Sequence, residues 1–547
     1  MKVPYESTHV KNIYDFLEIL STYGEDIAII DKAHNLWREH TFAQLVNDVT
    51  HISASLISRD VKRTHIVLIG ENSYEWMITY LGIILSGNVA IPLDNELSDR
   101  EIIYLIKHSG GKMVFYSRTF FDLMEKSCDE LNAVDCFVCF ENKMPKAKMN
   151  SFISFEDIIL RDRTVGSFKD NYIPLSESEA SVIVFTSGTT GASKGVMLSE
   201  KNVFCVSNRT NEYLHGGKLV FSVLPFYHTY GAMCALFLLR AQLTIALNDK
   251  VKNFMENMAT LKPYNLLVVP IYMEKLYRSA IKILKDQNKL DTVLKLIKFS
   301  NFLRKVKIDL RKTLFKKIRN SLGGNLRLVI CGGAPLADEY IVFFRDIGIY
   351  LLQGYGITEC SPLVSLNPFF SIRDGSVGRP LGYNQVKISS EGEILVKGDN
   401  VMLGYYNDPE KTNETICNGW FKTGDIGTID KDGYLYITGR LKNLILLSNG
   451  KNVYPEEIEE RVRRHDQIDD AIVYCSDNDI ITLQYYSPEG DINDINLFLD
   501  KVNHDLPIYA QIGKVIPRDT PFQKTTSQKI IRDLVTNARI TIPAKEK

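Results

Sequence analysis

The sequence predicts an α/β fold with a large N-terminal domain of βα sheets, a β-rich subdomain and a small α+β C-terminal domain. The chain has 547 residues, which is more than the roughly 250–300 at which a single hydrophobic core stops growing. Helical patterns alternate with short apolar runs from about residue 26 to 265, and after residue 370 strands and turns dominate. We place the boundary near Lys442, which gives domains 1–441 and 442–547.

Short runs rich in Val, Ile, Leu and Phe, such as HIVLIGEN, KMVFYS and LLVVP, are typical of buried strands in a sheet covered by helices. The most apolar window, Trp76–Leu93, is interrupted by glycine, serine, asparagine and proline. It therefore predicts a buried helix followed by a strand, and we expect no membrane span. Cys136 and Cys139 share one β-prone run with no second cysteine pair nearby, which favours strand packing over a metal or redox site.

The segment 281–320 is lysine-rich and helical in pattern. Its basic residues are Lys282, Lys285, Lys289, Lys295, Lys298, Arg304, Lys305, Lys307, Arg311, Lys312, Lys316, Lys317 and Arg319, against the acidic Asp286, Asp291 and Asp309. Apolar positions recur at helical spacing, namely Leu294, Ile297, Phe302, Leu303, Val306 and Leu310. This amphipathic pattern has two interpretations: a solvated helix face, or a surface that meets anionic lipid or the phosphates of a ligand.

Two helices are predicted in the C-terminal part of the chain. Asp408 followed by Pro409 is typical of an N-cap and first helical residue. Pro455 opens a second helix in which Ile458 and Val462 share one face. Its other side carries acidic and basic residues four apart, which are Glu457/Arg461, Glu459/Arg463 and Glu460/Arg464.

Overall charge limits the classes of partner. A formal charge of -1 and a pI of about 6.8 give no net field that would attract nucleic acid or an anionic bilayer, so any charged site must be local. The N-terminal stretch lacks the uninterrupted apolar run of a signal peptide. We expect a cytoplasmic protein, with peripheral contact to the inner face of an anionic membrane if the basic segment binds lipid.

The stretch FTSGTTGASKGV, residues 185–196, follows the apolar run ASVIVF. Its glycines and hydroxyls leave backbone N–H and side-chain O–H donors available to phosphate oxygens. It is not a Walker A loop, because Lys194 follows Gly191 by three residues and precedes Gly195. The G-x-G-x-x-G pattern of dinucleotide binding is also absent. By composition alone the stretch could be a linker.

The full string TSGTTGASKG closely resembles the phosphate loop of adenylate-forming enzymes, the superfamily of acyl-CoA synthetases, nonribosomal peptide adenylation domains and firefly luciferase. Further stretches resemble the other motifs of that superfamily in the right order, namely VICGGAPL, LQGYGITEC, FKTGDIG, TGRLKNLI and PFQKTTSQKIIR. The resemblance covers about residues 26 to 535. GRLKNLILLSNGKNVYPEEIE and GSVGRPL look most like long-chain fatty acyl-CoA synthetases.

The resemblance implies a set of ATP-binding residues. They are Thr186, Ser187, Gly188, Thr189, Thr190 and Lys194 for the β- and γ-phosphates, Gly333, Ala334 and Pro335 beside adenine, Gly354, Tyr355 and Gly356 with Tyr355 stacked on the base, Thr358 at the α-phosphate, Asp425 on the ribose hydroxyls, and Arg440 near ribose and phosphate. Glu359 would hold the Mg²⁺ that accompanies ATP, since a carboxylate supplies the hard oxygen that this ion prefers.

The same resemblance places Lys529 as the catalytic lysine, although Gln528 stands where the family usually has glycine and Lys524 is a competitor. Lys442 would be the hinge about which a mobile C-terminal domain rotates, and Gly450 would line a tunnel for the pantetheine of CoA. In PFYHTYG, His228 either positions the acyl carboxylate or packs in the core.

The implied activity is ATP-dependent, AMP-forming activation of a long-chain fatty acid to an acyl-adenylate, followed by transfer to CoA. The alternatives are a ligase that loads acyl carrier protein, a ligase for aryl or short-chain acids, and a non-enzymatic nucleotide- or acyl-binding protein. The chemistry that the resemblance implies needs no protein nucleophile.

Overall fold

The computed structural model describes residues 9–145, 151–159, 165–186, 193–208, 216–448, 451–476, 479–488, 490–524, 530–532 and 535. The chain forms two compact units. The first contains Met1–Thr186, Lys194–Gln385 and Val396–Phe421, and the second contains Ser187–Ser193, Val386–Leu395 and Lys422–Lys547.

Helices and strands alternate along most of the chain. The described helices are α1 (Ile13–Ser21), α2 (Phe42–Ser58), α3 (Tyr74–Leu85), α4 (Asp99–His108), α5 (Phe121–Ser127), α6 (Phe155–Ile159), α7 (Glu200–Cys205), α8 (Thr229–Arg240), α9 (Phe254–Leu261), α10 (Pro270–Asp286), α11 (Leu290–Lys305), α12 (Arg311–Leu314), α13 (Lys316–Ser321), α14 (Asp338–Asp346), α15 (Pro409–Thr415), α16 (Pro455–Val462) and α17 (Ile492–His504).

The described strands of the first 250 residues are β1 (Ile27–Ala33), β2 (Leu36–Thr41), β3 (His65–Ile69), β4 (Val89–Leu93), β5 (Met113–Tyr116), β6 (Cys136–Cys139), β7 (Phe152–Ser154), β8 (Val182–Thr186), β9 (Lys194–Leu198), β10 (Leu219–Ser222) and β11 (Thr244–Leu247). They are followed by β12 (Asn265–Val268), β13 (Leu328–Cys331), β14 (Tyr350–Gly356), β15 (Leu363–Leu366), β16 (Arg379–Pro380), β17 (Asn384–Ile388), β18 (Glu393–Gly398), β19 (Gly404–Tyr405), β20 (Ile416–Cys417), β21 (Trp420–Ile429), β22 (Leu435–Arg440), β23 (Ile445–Leu446), β24 (Asn452–Val453), β25 (Asp470–Ser476), β26 (Ile480–Tyr486) and β27 (Lys514–Arg518).

Two large sheets organise the first unit. One has nine strands in the order β16-β15-β14-β13-β12-β10-β11-β1-β2, and the other has eight in the order β19-β9-β8-β4-β3-β5-β6-β7. Neighbouring strands in the middle of each sheet are parallel, as for β12 with β13 and β3 with β4. Parallel strands need helical crossovers and are buried on both faces. The predicted α/β class is confirmed.

The apolar window Trp76–Leu93 folds as predicted. Every residue of α3 except Glu75 is buried, and β4 is buried along its whole length. Ser73 caps the start of the helix, and its hydroxyl accepts a hydrogen bond from the Trp76 backbone N–H. Cys136 and Cys139 are both buried in β6, in agreement with strand packing. No helix in the described part of the chain is long and apolar enough to cross a membrane.

The lysine-rich segment is helical as predicted, but its apolar positions do not form one buried face. In α11 the buried residues are Val293, Ile297 and Ser300, which are spaced four and three apart and therefore share one side of the helix. Of the apolar positions predicted from the sequence, Leu294, Phe302, Val306 and Leu310 are exposed, and Ile297 is buried. The sequence of α11 places apolar residues on two sides of the helix. Packing against α10 and α14 buries the side that carries Val293, Ile297 and Ser300.

The second unit has its own core, centred on the three-stranded sheet β25-β26-β27 with α16 and α17 packed against it. Pro455 opens α16, and Ile458 and Val462 are buried, as predicted. Glu459 differs from the prediction, because it is buried and bonded to Arg532. In the first unit, Asp408 caps α15 by accepting from the Lys411 backbone N–H, as its sequence also predicts.

Candidate active site

The glycine-rich stretch joins two antiparallel strands of the eight-stranded sheet. Thr186 ends β8 and is paired with Lys194 at the start of β9, and the Thr186 hydroxyl lies 3.4 Å from the Lys194 carbonyl oxygen. Four predicted phosphate-binding residues, Ser187, Gly188, Thr189 and Thr190, lie outside the described residues.

Lys194 and Glu359 are 165 positions apart in sequence, and both contact Tyr405. The Tyr405 hydroxyl donates a hydrogen bond of 2.9 Å to Glu359 Oε1. The Lys194 Nζ lies 5.6 Å from the centroid of the Tyr405 ring, which is within cation–π range. Burial, together with the nearby Glu359 carboxylate, raises the pKa of Tyr405, so its hydroxyl remains a donor at neutral pH.

Strand pairing explains why Lys194 and Glu359 both lie close to Tyr405. Tyr405 in β19 is paired with Val196 in β9, two residues from Lys194. Glu359 lies in the short helical turn that follows β14, and its carbonyl accepts from the Met402 backbone N–H. The arrangement brings a lysine predicted to bind phosphate and a carboxylate predicted to bind Mg²⁺ to the same tyrosine.

The predicted adenine-binding residues lie at the carboxyl ends of two adjacent parallel strands, where ligands of open α/β sheets bind. β13 and β14 pair in parallel up to Cys331 with Gln353. Gly333, Ala334 and Pro335 follow β13 directly and are exposed, and Tyr355 is in the last part of β14. Close backbone packing explains Gly356, since a Cβ there would lie 2.3 Å from the Pro362 carbonyl oxygen.

A cavity of about 60 Å³ adjoins these strand ends. Its walls are mainly apolar and come from α8, β12 and β13, and they include Cys234, Phe237, Leu238, Leu267 and Ile330. Gly333, Gly354 and Tyr355 also line it. The predicted base-binding residues therefore border an apolar space.

The PFYHTYG stretch makes a tight turn into α8. A Cβ at Gly231 would lie 2.0 Å from the Pro225 carbonyl oxygen, so the turn requires glycine. His228 is the N-terminal flanking residue of α8, partly buried, with its ring 4.6 Å from that of Tyr227. The next residue, Thr229, has its hydroxyl oxygen 3.5 Å from that of Thr358. The turn therefore brings the predicted acyl-site motif next to the residue predicted at the α-phosphate.

Two further predicted residues pair with each other in the second unit. Asp425 in β21 stands opposite Arg440 at the end of β22, and Arg440 Nε lies 2.9 Å from Asp425 Oδ1. The Asp425 side chain is 5% exposed and that of Arg440 is 45% exposed, so the carboxylate is held while the guanidinium still reaches solvent. Lys442 is exposed in the short helical turn Leu441–Asn443 that follows.

Lys529, Gln528 and Gly450 lie outside the described residues, but the flanks of Lys529 are described. Lys524 and Ile530 form a β-bridge, and the Ile531 backbone N–H donates to the Gln523 carbonyl. Lys524, the competing lysine, is ion-paired with Asp470 at 2.8 Å.

Arg532, on the other flank, donates to Glu459 Oε1 at 2.6 Å. Glu459 Oε1 also accepts from the Val473 backbone N–H. Burial raises the pKa of Glu459, and Arg532 opposes that rise. Both ends of the segment predicted to carry the catalytic lysine are therefore fixed to the core of the second unit.

Tyr405 and Thr229 were not identified from the sequence. Both stand next to predicted motifs, Tyr405 in GYYNDPE and Thr229 directly after His228. Their contacts with Glu359 and Thr358 depend on pairing between distant strands and on a helix start, which a local pattern does not show.

Comparison with known proteins identifies the family of the chain. Residues 16–406 match the AMP-binding enzyme family, and residues 442–538 match the AMP-binding enzyme C-terminal domain. The long-chain-fatty-acid–CoA ligase FadD15 of Mycobacterium tuberculosis is 27% identical over 457 residues, covering 80% of this chain and 75% of the relative. The long-chain-fatty-acid–CoA ligase 5 of Rattus norvegicus is 30% identical over 467 residues, covering 77% and 66%.

Solved structures show the same fold. The anthranilate CoA ligase AuaEII in complex with anthranoyl-AMP superposes with a TM-score of 0.78 at 20% identity, covering 97% of this chain and 98% of that one. The o-succinylbenzoate coenzyme A synthetase MenE of Bacillus subtilis, in complex with ATP and magnesium, gives a TM-score of 0.71 at 20% identity, covering 95% and 99%. The chain belongs to the AMP-binding, adenylate-forming enzyme family, which also includes acyl-CoA ligases.

Proposed function

We propose that the chain is an AMP-forming ligase that activates a long-chain fatty acid with ATP and transfers the acyl group to the thiol of CoA. The observation that carries the proposal is that Lys194 and Glu359 both contact Tyr405, while Thr358 lies next to the acyl-site turn. The names of the relatives support the substrate class.

In the first half-reaction a carboxylate oxygen attacks the α-phosphorus of ATP. The bond from that phosphorus to the oxygen bridging to the β-phosphate breaks, and pyrophosphate leaves with the electron pair. Both partners are anions, so the site must offset their repulsion and align the attack. Thr358 would donate to the α-phosphate, and Lys194 would offer positive charge to the departing phosphates. Lys529 would stabilise the transition state.

Magnesium would arrive with ATP. Among the described residues no group of three or more His, Cys, Asp or Glu side chains could hold a metal ion. Glu359 is nevertheless suited to Mg²⁺, since this ion is commonly bound by one or two carboxylates together with substrate phosphates. When bound, the ion neutralises phosphate charge. Tyr405 fixes one oxygen of Glu359 by hydrogen bonding and leaves Oε2 for the ion.

In the second half-reaction the thiol sulfur attacks the acyl carbon of the adenylate, and AMP leaves as the phosphate monoester. We propose that the C-terminal domain 442–547 rotates about Lys442 between the two steps, which removes Lys529 and brings Gly450 beside the pantetheine. Asp425 and Arg440 would hold the ribose hydroxyls and the nearby phosphate.

A panel of acids and acceptors tests the proposal. We expect pyrophosphate release to increase with acyl chain length to a long-chain optimum, and we expect CoA to be a better acceptor than acyl carrier protein. Equal turnover with carrier protein would contradict the choice of CoA. The absence of ATP–pyrophosphate exchange with every acid tested would contradict the enzymatic proposal itself.

A ligase for aryl or shorter acids is the second candidate, and it is favoured if the acyl group occupies the apolar cavity beside β13 and β14. About 60 Å³ has room for only a few methylene groups, whereas pockets for larger ligands reach several hundred Å³. A long chain would therefore need side chains around the cavity to move. A rate optimum with benzoate-like or short acids would favour this candidate.

Replacing Tyr405 by phenylalanine tests the role of the Glu359 contact. The change removes the hydroxyl that donates to Glu359 and keeps the ring beside Lys194. We expect the Mg²⁺ concentration for half-maximal pyrophosphate exchange to rise several-fold, because the carboxylate loses a hydrogen bond of about 1–2 kcal/mol that orients it. Tyr406→Phe is the matched control, since its hydroxyl lies 3.5 Å from the Ser109 carbonyl. Equal magnesium dependence in both variants would contradict the assignment.

A further inference from the structure

Helix α11 and the segment after it expose a group of apolar side chains. Val293, Ile297 and Ser300 pack inward and are 8%, 9% and 1% exposed. On the opposite side, Phe299 and Phe302 are 52% and 64% exposed. Val306, Ile308 and Leu310, which follow α11 in the chain, are 58%, 48% and 40% exposed. We call these five exposed residues and the exposed lysines of the segment 282–317 the α11 surface.

The lysines of the α11 surface are all exposed. They are Lys282, Lys285, Lys289, Lys295, Lys298, Lys305, Lys307, Lys312, Lys316 and Lys317. The acidic residues of the same segment are Asp286, Asp291 and Asp309, and Asp309 is ion-paired with Arg311 at 2.7 Å. Because the whole chain has a formal charge of -1, the positive charge is a local feature of this surface.

Helical spacing places the apolar and basic residues together. Lys295, Lys298, Phe299, Phe302 and Lys305 follow one another at intervals of three, one, three and three residues, so they share the side of α11 that faces away from α10 and α14. Single exposed apolar residues are ordinary. A group of aromatic and aliphatic side chains bordered by lysines is typical of a helix that lies in a membrane interface.

The composition of the α11 surface argues against a second copy of the chain as its partner. Two identical surfaces facing each other across a two-fold axis would oppose Lys295, Lys298 and Lys305 with the same three lysines. Lysine is also depleted at protein interfaces. A nucleic acid would satisfy the lysines, but it offers no apolar phase for Val306, Ile308 and Leu310. An anionic bilayer satisfies both sets, since headgroup phosphates meet the ammonium groups and acyl chains accept the apolar groups.

We propose that the α11 surface docks the protein on an anionic lipid bilayer. Phe299 and Phe302 insert at the boundary between headgroups and acyl chains, while Lys295, Lys298 and Lys305 remain at the level of the phosphates, where long aliphatic stems let them reach the interface. This inference goes beyond the proposed function and does not depend on it, because binding to vesicles is measured without substrates.

Co-sedimentation of the full chain with vesicles tests the inference. The vesicles are pure phosphatidylcholine or phosphatidylcholine with 30 mol% phosphatidylglycerol as the added probe. We expect binding to the anionic vesicles only, with a strong decrease as salt is raised, since headgroup attraction is screened within a Debye length. Equal binding to both kinds of vesicle, or no binding to either, would overturn the proposal.

Two variants separate the apolar and the basic contributions. Charge reversal in Lys295→Glu/Lys298→Glu/Lys305→Glu is expected to lower the partition coefficient roughly 100-fold or more, since each basic residue near the surface contributes about fivefold. The change Phe299→Ser/Phe302→Ser is expected to lower it at least tenfold, because two aromatic side chains no longer leave water. Neither variant should alter pyrophosphate exchange measured without vesicles.

The chain offers matched controls. Lys126, Lys252 and Lys431 are exposed lysines outside the α11 surface, and Leu36 is 72% exposed in β2. We expect Lys126→Glu/Lys252→Glu/Lys431→Glu and Leu36→Ser to bind anionic vesicles within about threefold of the parent. If the charge-reversed control loses binding as much as the test variant, net charge is responsible and the proposal fails. It also fails if the parent self-associates without lipid and Phe299→Ser/Phe302→Ser abolishes that association.

Discussion

Replacing Lys529 by alanine is expected to slow acyl-adenylate formation roughly 10³-fold, the size of the loss when a donor to a developing transition-state charge is removed. The second half-reaction should be spared, since the thiol step would proceed with this lysine withdrawn. ATP–pyrophosphate exchange measures the first step, and release of AMP from a supplied acyl-adenylate with CoA measures the second. Equal loss of both would contradict the assignment.

Lys524→Ala is the control for that experiment. Lys524 was the competing candidate, and its ammonium group is ion-paired with Asp470 at 2.8 Å with 29% of the side chain exposed. We expect its removal to lower the free energy of unfolding by about 1 kcal/mol or less and to leave pyrophosphate exchange within a few-fold of the parent. A larger loss of ATP–pyrophosphate exchange in Lys524→Ala than in Lys529→Ala would identify Lys524 as the catalytic lysine.

Much of the fold follows from the sequence because it is encoded locally. The buried helix α3 and strand β4 appear in the sequence as two apolar runs with a glycine-containing turn between them. The starts of α15 and α16 are marked by Pro409 and Pro455. In each case the predictive pattern lies within about ten residues of sequence. The spacing of apolar residues and the identity of the capping residues are therefore sufficient to predict the element.

The predictions that differed from the structure concern partners distant in sequence. The four-residue spacing of Glu459 and Arg463 predicted a pair on the side of α16 opposite Ile458 and Val462, whereas Glu459 is buried and bonded to Arg532 from another segment. In α11 the sequence contained two possible apolar faces, and contacts with α10 and α14 decided between them. Tyr405 was missed for the same reason, because its contact with Glu359 depends on the pairing of β19 with β9.

Replacing Asp425 by asparagine is expected to lower kcat/KM for ATP roughly 100-fold while leaving kcat at saturating ATP much less affected. The carboxylate would accept hydrogen bonds from both ribose hydroxyls, and bonds to a charged group contribute about 1.5–3 kcal/mol each. The amide has nearly the same shape but only one acceptor atom and no charge. Steady-state kinetics with ATP varied at saturating acid and CoA measures the change.

Loss of the Arg440 pairing could also weaken ATP binding, since Asp425 holds the Arg440 guanidinium at 2.9 Å. Nucleotides that lack one hydroxyl separate the two causes, because 2′-deoxyATP and 3′-deoxyATP each remove one of the proposed hydrogen bonds and leave Arg440 unchanged. The parent should lose about tenfold or more in kcat/KM with each deoxynucleotide. Asp425→Asn should lose much less, since the interaction is already weakened. If the parent and the variant lose equally, Asp425 acts by positioning Arg440 and does not bind the ribose.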